Sequence, residues 1–143
     1  MRLTRSQLDQ LIAQARRDAP NETCGLIGGQ NGRALRIYPL RNAAPNPRIH
    51  YLAHPEDLVA AVLDIEDAHG WQVVGIYHSH PASPAYPSPT DVRDASDPEL
   101  KEPLYPDAVY ILISLRDPAF AEVRGFTIRD EKISEVTLEI EEK

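Results

Sequence analysis

The fold is decided by residues 72–91, which read QVVGIYHSHPASPAYPSPTD. Residues 72–77 form an apolar run rich in β-branched side chains, which predicts a buried strand. The rest contains the four prolines Pro81, Pro84, Pro87 and Pro89 and ends in Thr-Asp. Prolines reduce the conformational freedom of the unfolded chain, so this loop is predicted to be stiff and to hold one shape.

Two histidines, His78 and His80, follow the predicted strand directly. Side chains at positions i and i+2 of an extended chain point to the same side, so both imidazoles can reach one ion. An open catalytic zinc site uses three protein ligands and one water. Asp91 lies at the start of a predicted helix after the stiff loop, and it is the candidate third ligand.

Other interpretations of these residues compete with a metal site. A His-X-His pair alone is more often incidental, and Asp91 after Pro-Thr could be only a helix-capping carboxylate. Cys24 could complete a site with two histidines, but its place at the start of an apolar strand favours a buried, inert thiol. Three further histidines lack ligand spacing and are predicted to be surface or capping residues; they are His50, His54 and His69.

The flanking sequence predicts a mixed α/β domain. One helix runs from an N-cap at Thr4 to Pro20, and a second runs from Pro55 to Gly70. Asn31-Gly32 is a hairpin signal, and a turn is expected at Asp130. Strands are predicted at residues 24–29, 34–38, 48–52, 72–77, 108–115, 121–128 and 133–140.

Composition limits the class of protein. A chain of 143 residues suits one domain, taken as residues 1–143, and the single cysteine excludes an internal disulfide. The formal net charge is −7 with no cluster of Lys or Arg, so nucleic-acid binding is not expected. No apolar run reaches the roughly 20 residues of a membrane helix, and no signal peptide is recognised, so a cytoplasmic protein is expected.

The sequence resembles the JAMM (MPN+) zinc metalloproteases. Their signature HxHPx6SxxD matches His78-Ser79-His80-Pro81, six residues, Ser88, two residues and Asp91. Residues 20–26, PNETCGL, resemble the family's first block, in which a glutamate precedes a strand. With the second helix and the strand at 108–115, the resemblance extends over most of the chain. It implies a single MPN domain with a cytidine-deaminase-like fold, a mixed central sheet flanked by helices.

The resemblance also implies a role for each site residue. His78, His80 and Asp91 would bind Zn²⁺, and the water in the fourth position would become the nucleophile. Glu22, otherwise interpreted as a surface carboxylate after a Pro-Asn turn, would accept its proton and pass it to the leaving amine. Ser88 would donate a hydrogen bond to the oxyanion.

The implied reaction is hydrolysis after the C-terminal Gly-Gly of a ubiquitin-like protein. Resemblance to small stand-alone bacterial members favours a sulfur carrier protein or its conjugate as the partner, including a carrier that bears a C-terminal cysteine. A general isopeptidase and a non-catalytic scaffold are the alternatives, and the oligomeric state stays open, a homodimer included. We expect the metal near a sheet edge, where an extended substrate could add. Residues 95–106 would form a flap or a surface loop.

Overall fold

Eight strands and three α-helices form the part of the chain that the structure, a computed structural model, describes: residues 1–96 and 105–142. In chain order the elements are β1 (Arg2–Thr4), α1 (Arg5–Asp18), β2 (Cys24–Gln30), β3 (Arg33–Leu40), α2 (Pro55–Leu63) with a π-helical extension (Asp64–Ala68), β4 (Gln72–His80), α3 (Pro89–Asp94), β5 (Val109–Asp117), β6 (Phe120–Arg129), β7 (Lys132–Val136) and β8 (Glu139–Glu141).

The strands form a single sheet in the order β7-β6-β5-β4-β2-β3-β1-β8. β4 pairs with β5 in parallel and with β2 antiparallel, so the sheet is mixed, as the sequence predicts. β1 pairs in parallel with both β3 and β8. β4 therefore lies in the interior of the sheet, with three strands on one side and four on the other.

Helices cover both faces of this sheet. Successive strand residues point to opposite faces, so Leu26 packs in the cluster under α2 whereas its neighbour Ile27 packs in the cluster under α1. The same alternation separates Tyr110 from Ile111 on β5, and both are buried. The predicted central strand at 108–115, apolar on both faces, is thereby confirmed.

Local signals set several boundaries as predicted. The Thr4 hydroxyl accepts a hydrogen bond from the Gln7 amide at 3.0 Å, and the Gln7 side chain accepts one from the Thr4 amide at 2.9 Å, so α1 begins with a capping box. Asn31 and Gly32 both have positive φ, at 55° and 71°, as the two-residue hairpin turn between β2 and β3 requires.

Two strand predictions were wrong. Residues 48–52 are a loop, because the side chain of Asn42 binds the backbone groups of His50 and Leu52 that a strand partner would otherwise bind. Residues 133–140 contain two strands, because Leu138 turns into the core beneath α1 and leads β8 to β1 at the opposite edge from β7.

Within the described ranges, every helix is too short or too polar to cross a membrane. The predicted flap or loop at 95–106 falls mostly on residues 97–104, which lie outside the described residues.

Candidate functional site

Three predicted ligand atoms converge at the carboxyl end of β4. The Nε2 atoms of His78 and His80 lie 3.1 Å apart. Oδ2 of Asp91 lies 3.1 Å from Nε2 of His78 and 3.2 Å from Nε2 of His80. β4 continues through His80, so both imidazoles project from an interior strand, and the expected position at a sheet edge was wrong.

This triangle of atoms fits one zinc ion. Ligands at about 2.0–2.1 Å from a tetrahedral zinc lie roughly 3.3 Å apart, close to the separations observed. Two imidazole nitrogens and one carboxylate oxygen are a donor set of catalytic zinc sites. His78, His80 and Asp91 are the one group of this kind among the residues that the structure describes.

The ring of His80 is oriented by the stiff loop. Its Nδ1 lies 2.8 Å from the carbonyl oxygen of Pro84. A carbonyl can only accept, so Nδ1 carries the proton, and the lone pair of Nε2 faces the other two ligands. Metal-ligating histidines are commonly fixed by a partner of this kind.

Asp91 is held in the first turn of α3. It is the third residue of α3, and its Oδ2 accepts a hydrogen bond from the Ser88 amide at 2.9 Å. The Asp91 amide donates to the Ser88 hydroxyl at 3.1 Å, which completes a capping box. Burial alone would raise the pKa of Asp91, but contacts with His78 and His80 hold this pKa well below its usual value, so the carboxylate is ionised.

His78 lies deeper in the protein. Its ring stacks on Tyr51 with centroids 4.4 Å apart, and burial lowers its pKa, so the imidazole is neutral and can offer a lone pair. Its Nδ1 is buried with no hydrogen-bond partner among the described residues. A buried unsatisfied atom calls for an explanation, and a ring orientation required by a bound ion supplies one.

The structure brings Glu22 to this cluster although it precedes His78 by 56 positions in the sequence. Its side chain is buried, and burial raises its pKa to about 7, with His80 lowering and Asp91 raising it. The charges of both ligands therefore act on Glu22. A carboxyl group with this pKa can hold or release a proton at neutral pH.

Thr23 fastens the chain next to Glu22 to the ligand strand. Its amide donates to the Ser79 hydroxyl at 2.8 Å, and the Ser79 amide donates to the Thr23 carbonyl at 3.1 Å. Because Ser79 lies between His78 and His80, these bonds fix the chain next to Glu22 relative to the two candidate ligands.

A buried side chain from α1 supports the same point. Nε2 of Gln14 donates to the Thr23 hydroxyl at 2.8 Å and to the Cys24 carbonyl at 3.1 Å. The Tyr77 hydroxyl donates to Oε1 of Gln14 at 2.6 Å. Sequence reasoning missed Gln14, although it lies three residues after the core residue Leu11, and a polar residue in an apolar helical stripe signals a buried network.

The surroundings of three other residues considered in the sequence analysis are defined: those of Ser88, Cys24 and His69. Ser88 caps α3, and its part in oxyanion binding stays a prediction. Cys24 is 1% exposed, and burial raises its pKa to about 12, so it is the inert thiol that the sequence predicts. His69 stacks on Trp71 at the surface, away from the ligand cluster.

Comparison with protein families identifies the chain. Residues 4–128 match the family described as prokaryotic homologs of the JAB domain. The chain belongs to this family. A CysO-cysteine peptidase from Mycobacterium tuberculosis is 39% identical over 138 residues, covering 95% of this chain and 88% of the relative. A desampylase from Haloferax volcanii is 36% identical over 112 residues, 74% of each chain.

A further relative and two solved structures agree with this assignment. A probable TtuB-protein conjugate cleaving protease from Thermus thermophilus is 41% identical over 91 residues, 64% of this chain and 60% of the relative. The solution structure of a Desulfitobacterium hafniense protein matches with a TM-score of 0.83 and 36% identity, covering 99% of this chain and 93% of the other. A JAB1/MPN domain protein from Archaeoglobus fulgidus, at 19% identity, has the same fold with a TM-score of 0.58, covering 99% of this chain and all of the other. The chain is a JAMM-type hydrolase.

Proposed function

We propose that the protein is a zinc-dependent peptidase that cleaves conjugates of a ubiquitin-like carrier after its C-terminal Gly-Gly. The observation that carries this proposal is the convergence of His78, His80 and Asp91 beside the buried Glu22. The relatives named for CysO-cysteine and TtuB-protein conjugates support the substrate class. The favoured substrate is a sulfur carrier that bears a C-terminal cysteine.

His78, His80 and Asp91 would hold the zinc ion, and Glu22 would move the proton. Zinc bound there would supply Lewis acidity, which lowers the pKa of a water ligand and polarises a carbonyl. Glu22 accepts a proton from the water that attacks the peptide carbonyl and returns this proton to the leaving amine. Its pKa of about 7 suits both transfers at neutral pH.

Ser88 is proposed to stabilise the oxyanion. Its oxygen accepts a hydrogen bond from the Asp91 amide, so its hydroxyl proton is available for a hydrogen bond to a substrate oxygen. A hydroxyl at the start of α3 is also fixed in position, and a preorganised donor contributes more to catalysis than one that must first be ordered.

A groove of about 650 Å³, lined in part by residues that adjoin the site in the sequence, has room for a peptide chain. Its lining includes Pro20, two residues before Glu22, and Pro81, which follows His80. Exposed Ile49 lies on the same groove. A peptide in the groove would contact Pro20 and Pro81, which adjoin Glu22 and His80 in the sequence, and this supports hydrolysis of a polypeptide substrate.

A general isopeptidase for ubiquitin-like modifiers is the second candidate, because relatives include a desampylase and a protease named for protein conjugates. A scaffold role is disfavoured, since the three ligand residues, Glu22 and Ser88 are all present.

The test compares four substrates with the purified enzyme, followed by mass spectrometry. They are a Gly-Gly-ended carrier bearing a C-terminal cysteine, its final Gly→Ala variant, the same carrier in isopeptide linkage to a lysine, and an unstructured peptide. We expect the first to be cleaved fastest and its alanine variant to lose kcat/KM sharply, because a small misplacement of the scissile carbonyl spoils attack. Faster cleavage of the isopeptide would favour the second candidate, and equal rates on all four would refute carrier specificity.

A further inference from the structure

The backbone of Glu22 is held by a loop that contains no metal ligand. The Glu22 amide donates to the Pro47 carbonyl at 2.7 Å, and the Glu22 carbonyl accepts from Nδ2 of Asn42 at 3.0 Å. Both polar backbone groups of Glu22 are therefore bound by residues 42–47, which follow β3, whereas Ser79 belongs to β4 on the other side of β2.

Asn42 also organises the loop that supplies these bonds. Its Nδ2 donates to the His50 carbonyl at 3.0 Å, and its Oδ1 accepts from the amides of Ala44 and Leu52 at 2.9 and 3.1 Å. One side chain thus closes residues 42–52 into a single unit by binding both of its ends. Four hydrogen bonds from one amide use all of its strong donor and acceptor capacity.

We propose that Asn42 is a positioning residue that sets the place of the Glu22 carboxylate, an inference that rests on the proposed function. Asn42 touches neither the ligand cluster nor a reacting atom, so it acts through the backbone of Glu22. Glu22 must stay within hydrogen-bond reach of the proton that it accepts, and a displacement of about 1 Å can lower the rate by roughly 100-fold.

Asn42→Asp and Asn42→Ala separate the contacts. The aspartate retains the acceptors for Ala44 and Leu52 but replaces the donor shared by Glu22 and His50 with an oxygen that repels both carbonyls. Alanine removes all four bonds. Asn46→Ala is the matched control, because Asn46 is an exposed residue of the same loop that accepts hydrogen bonds through its backbone carbonyl.

Kinetics give the first readout, on the carrier–cysteine conjugate. We expect Asn42→Asp to lower kcat about 10–100-fold with little change in KM and in zinc content, and Asn46→Ala to match the parent protein. In a Glu22→Gln background, followed in single turnovers with excess enzyme, Asn42→Asp should cause almost no further loss. The free-energy effects of two substitutions that act through one group are not additive. If Asn42→Asp instead caused independent structural damage, the two losses in rate would multiply.

Hydrogen exchange gives a readout that needs neither metal nor activity. The Glu22 amide should exchange about tenfold faster in Asn42→Ala than in the parent, because the loop that carries the Pro47 carbonyl opens more readily. Asn46→Ala should leave this exchange rate unchanged. An unchanged kcat in Asn42→Asp, or full additivity with Glu22→Gln, would overturn the inference while carrier cleavage by the parent still supports the proposed function. If the parent cleaves no conjugate, the proposed function fails, and the exchange measurement still decides whether Asn42 holds Glu22.

Discussion

The carbonyl oxygen of Pro84 accepts a hydrogen bond from Nδ1 of His80 at 2.8 Å. The donor ring belongs to an interior strand, and the acceptor belongs to the loop that returns Asp91. One bond therefore fixes the tautomer of a candidate ligand and anchors the segment that brings the third candidate, Asp91. Prolines in this loop lower its entropy when it is free, so closing it around an ion costs less.

Zinc should be retained at one equivalent per chain in protein purified without added metal. Asp91→Ala should lose most of it, because the remaining two imidazoles make an incomplete site. Cys24→Ala should retain it, because the thiol is buried and protonated. Elemental analysis of the three proteins decides the ligand set, and the reverse pattern in the two variants would make Cys24 a ligand in place of Asp91.

Glu22→Gln should bind zinc normally and lose most turnover. The amide has nearly the same shape as the carboxyl group but cannot accept a proton. Proton transfer by a positioned side chain contributes about 10²–10⁴-fold, and the loss of kcat should fall in that range. Zinc content and a thermal melt serve as controls, and a variant with the parent kcat would remove Glu22 from the mechanism.

Substitutions at Ser88 can separate the helix cap from the oxyanion contact. Ser88→Ala should reduce kcat by roughly 10²–10³-fold if the hydroxyl is the main oxyanion donor, and it should destabilise the protein by about 1 kcal/mol through loss of the cap. Ser88→Asp retains a capping acceptor but has no hydroxyl donor. It should therefore lose activity, while its loss of stability should be smaller than that of Ser88→Ala. Denaturant unfolding and steady-state kinetics measure the two effects; full activity in Ser88→Asp would exclude the oxyanion role.

Cys24 should make the folded protein less stable at alkaline pH. A thiol usually has a pKa of about 8.5, whereas burial raises the pKa of Cys24 to about 12. Between these values the unfolded chain has lost a proton that the folded chain retains, so the free energy of unfolding falls as pH rises, by up to about 1.4 kcal/mol per pH unit.

Two measurements check the Cys24 prediction. Urea unfolding from pH 8 to 11 should show a steeper decline in the parent than in Cys24→Ala. Iodoacetamide at pH 8 should alkylate the unfolded protein quickly and the native protein very slowly, since the thiolate is the reactive form. Parallel pH curves together with rapid native alkylation would contradict the raised pKa.

Gly25→Ala should destabilise the fold strongly. A Cβ at this position would overlap the ring of Tyr77, whose hydroxyl is bound to Gln14, so the ring cannot move without breaking a buried hydrogen bond. We expect a loss of about 3 kcal/mol or more. Gly32→Ala is the control: its Cβ meets no atom within 4 Å, and only the positive φ opposes it, at a cost of roughly 1 kcal/mol. Equal losses of stability in the two variants, measured by thermal unfolding, would mean that the Tyr77 ring moves aside at little cost.

The ligand cluster was predictable because its members lie close in sequence and local rules govern them. The i, i+2 spacing of His78 and His80 fixes their common direction, and Ser88 and Asp91 form a helix-capping pattern. The supporting residues Asn42 and Gln14 were not predictable in the same way. Asn42 binds the carbonyl of Glu22, 20 positions away, and no local pattern indicates that partner. The helical stripe marks Gln14 as buried, but no local pattern indicates its partners Thr23, Cys24 and Tyr77.

The same distinction between local patterns and distant partners explains why two strand predictions were wrong. The sequence at 48–52 has enough apolar residues for a strand, but the Asn42 side chain binds the His50 carbonyl and the Leu52 amide, and the Asn46 carbonyl accepts from the amides of Ile49 and His50. Residues 133–140 read as one strand because alternation continues across the break, whereas the pairing of β8 depends on β1 at the other end of the chain. Pairing between chain ends carries no signal in a local window.

The three candidate ligands differ in how firmly the fold holds them. His78 and His80 lie on β4, between β2 and β5, where an opening of the backbone would disrupt much of the sheet. Asp91 lies on a six-residue helix that can open without disturbing the sheet. Departure of an ion should therefore begin with release of the carboxylate, and its off-rate should follow the local stability of α3. Changes that lengthen or strengthen α3 would slow exchange of the ion with chelators in solution and leave the melting temperature of the sheet nearly unchanged.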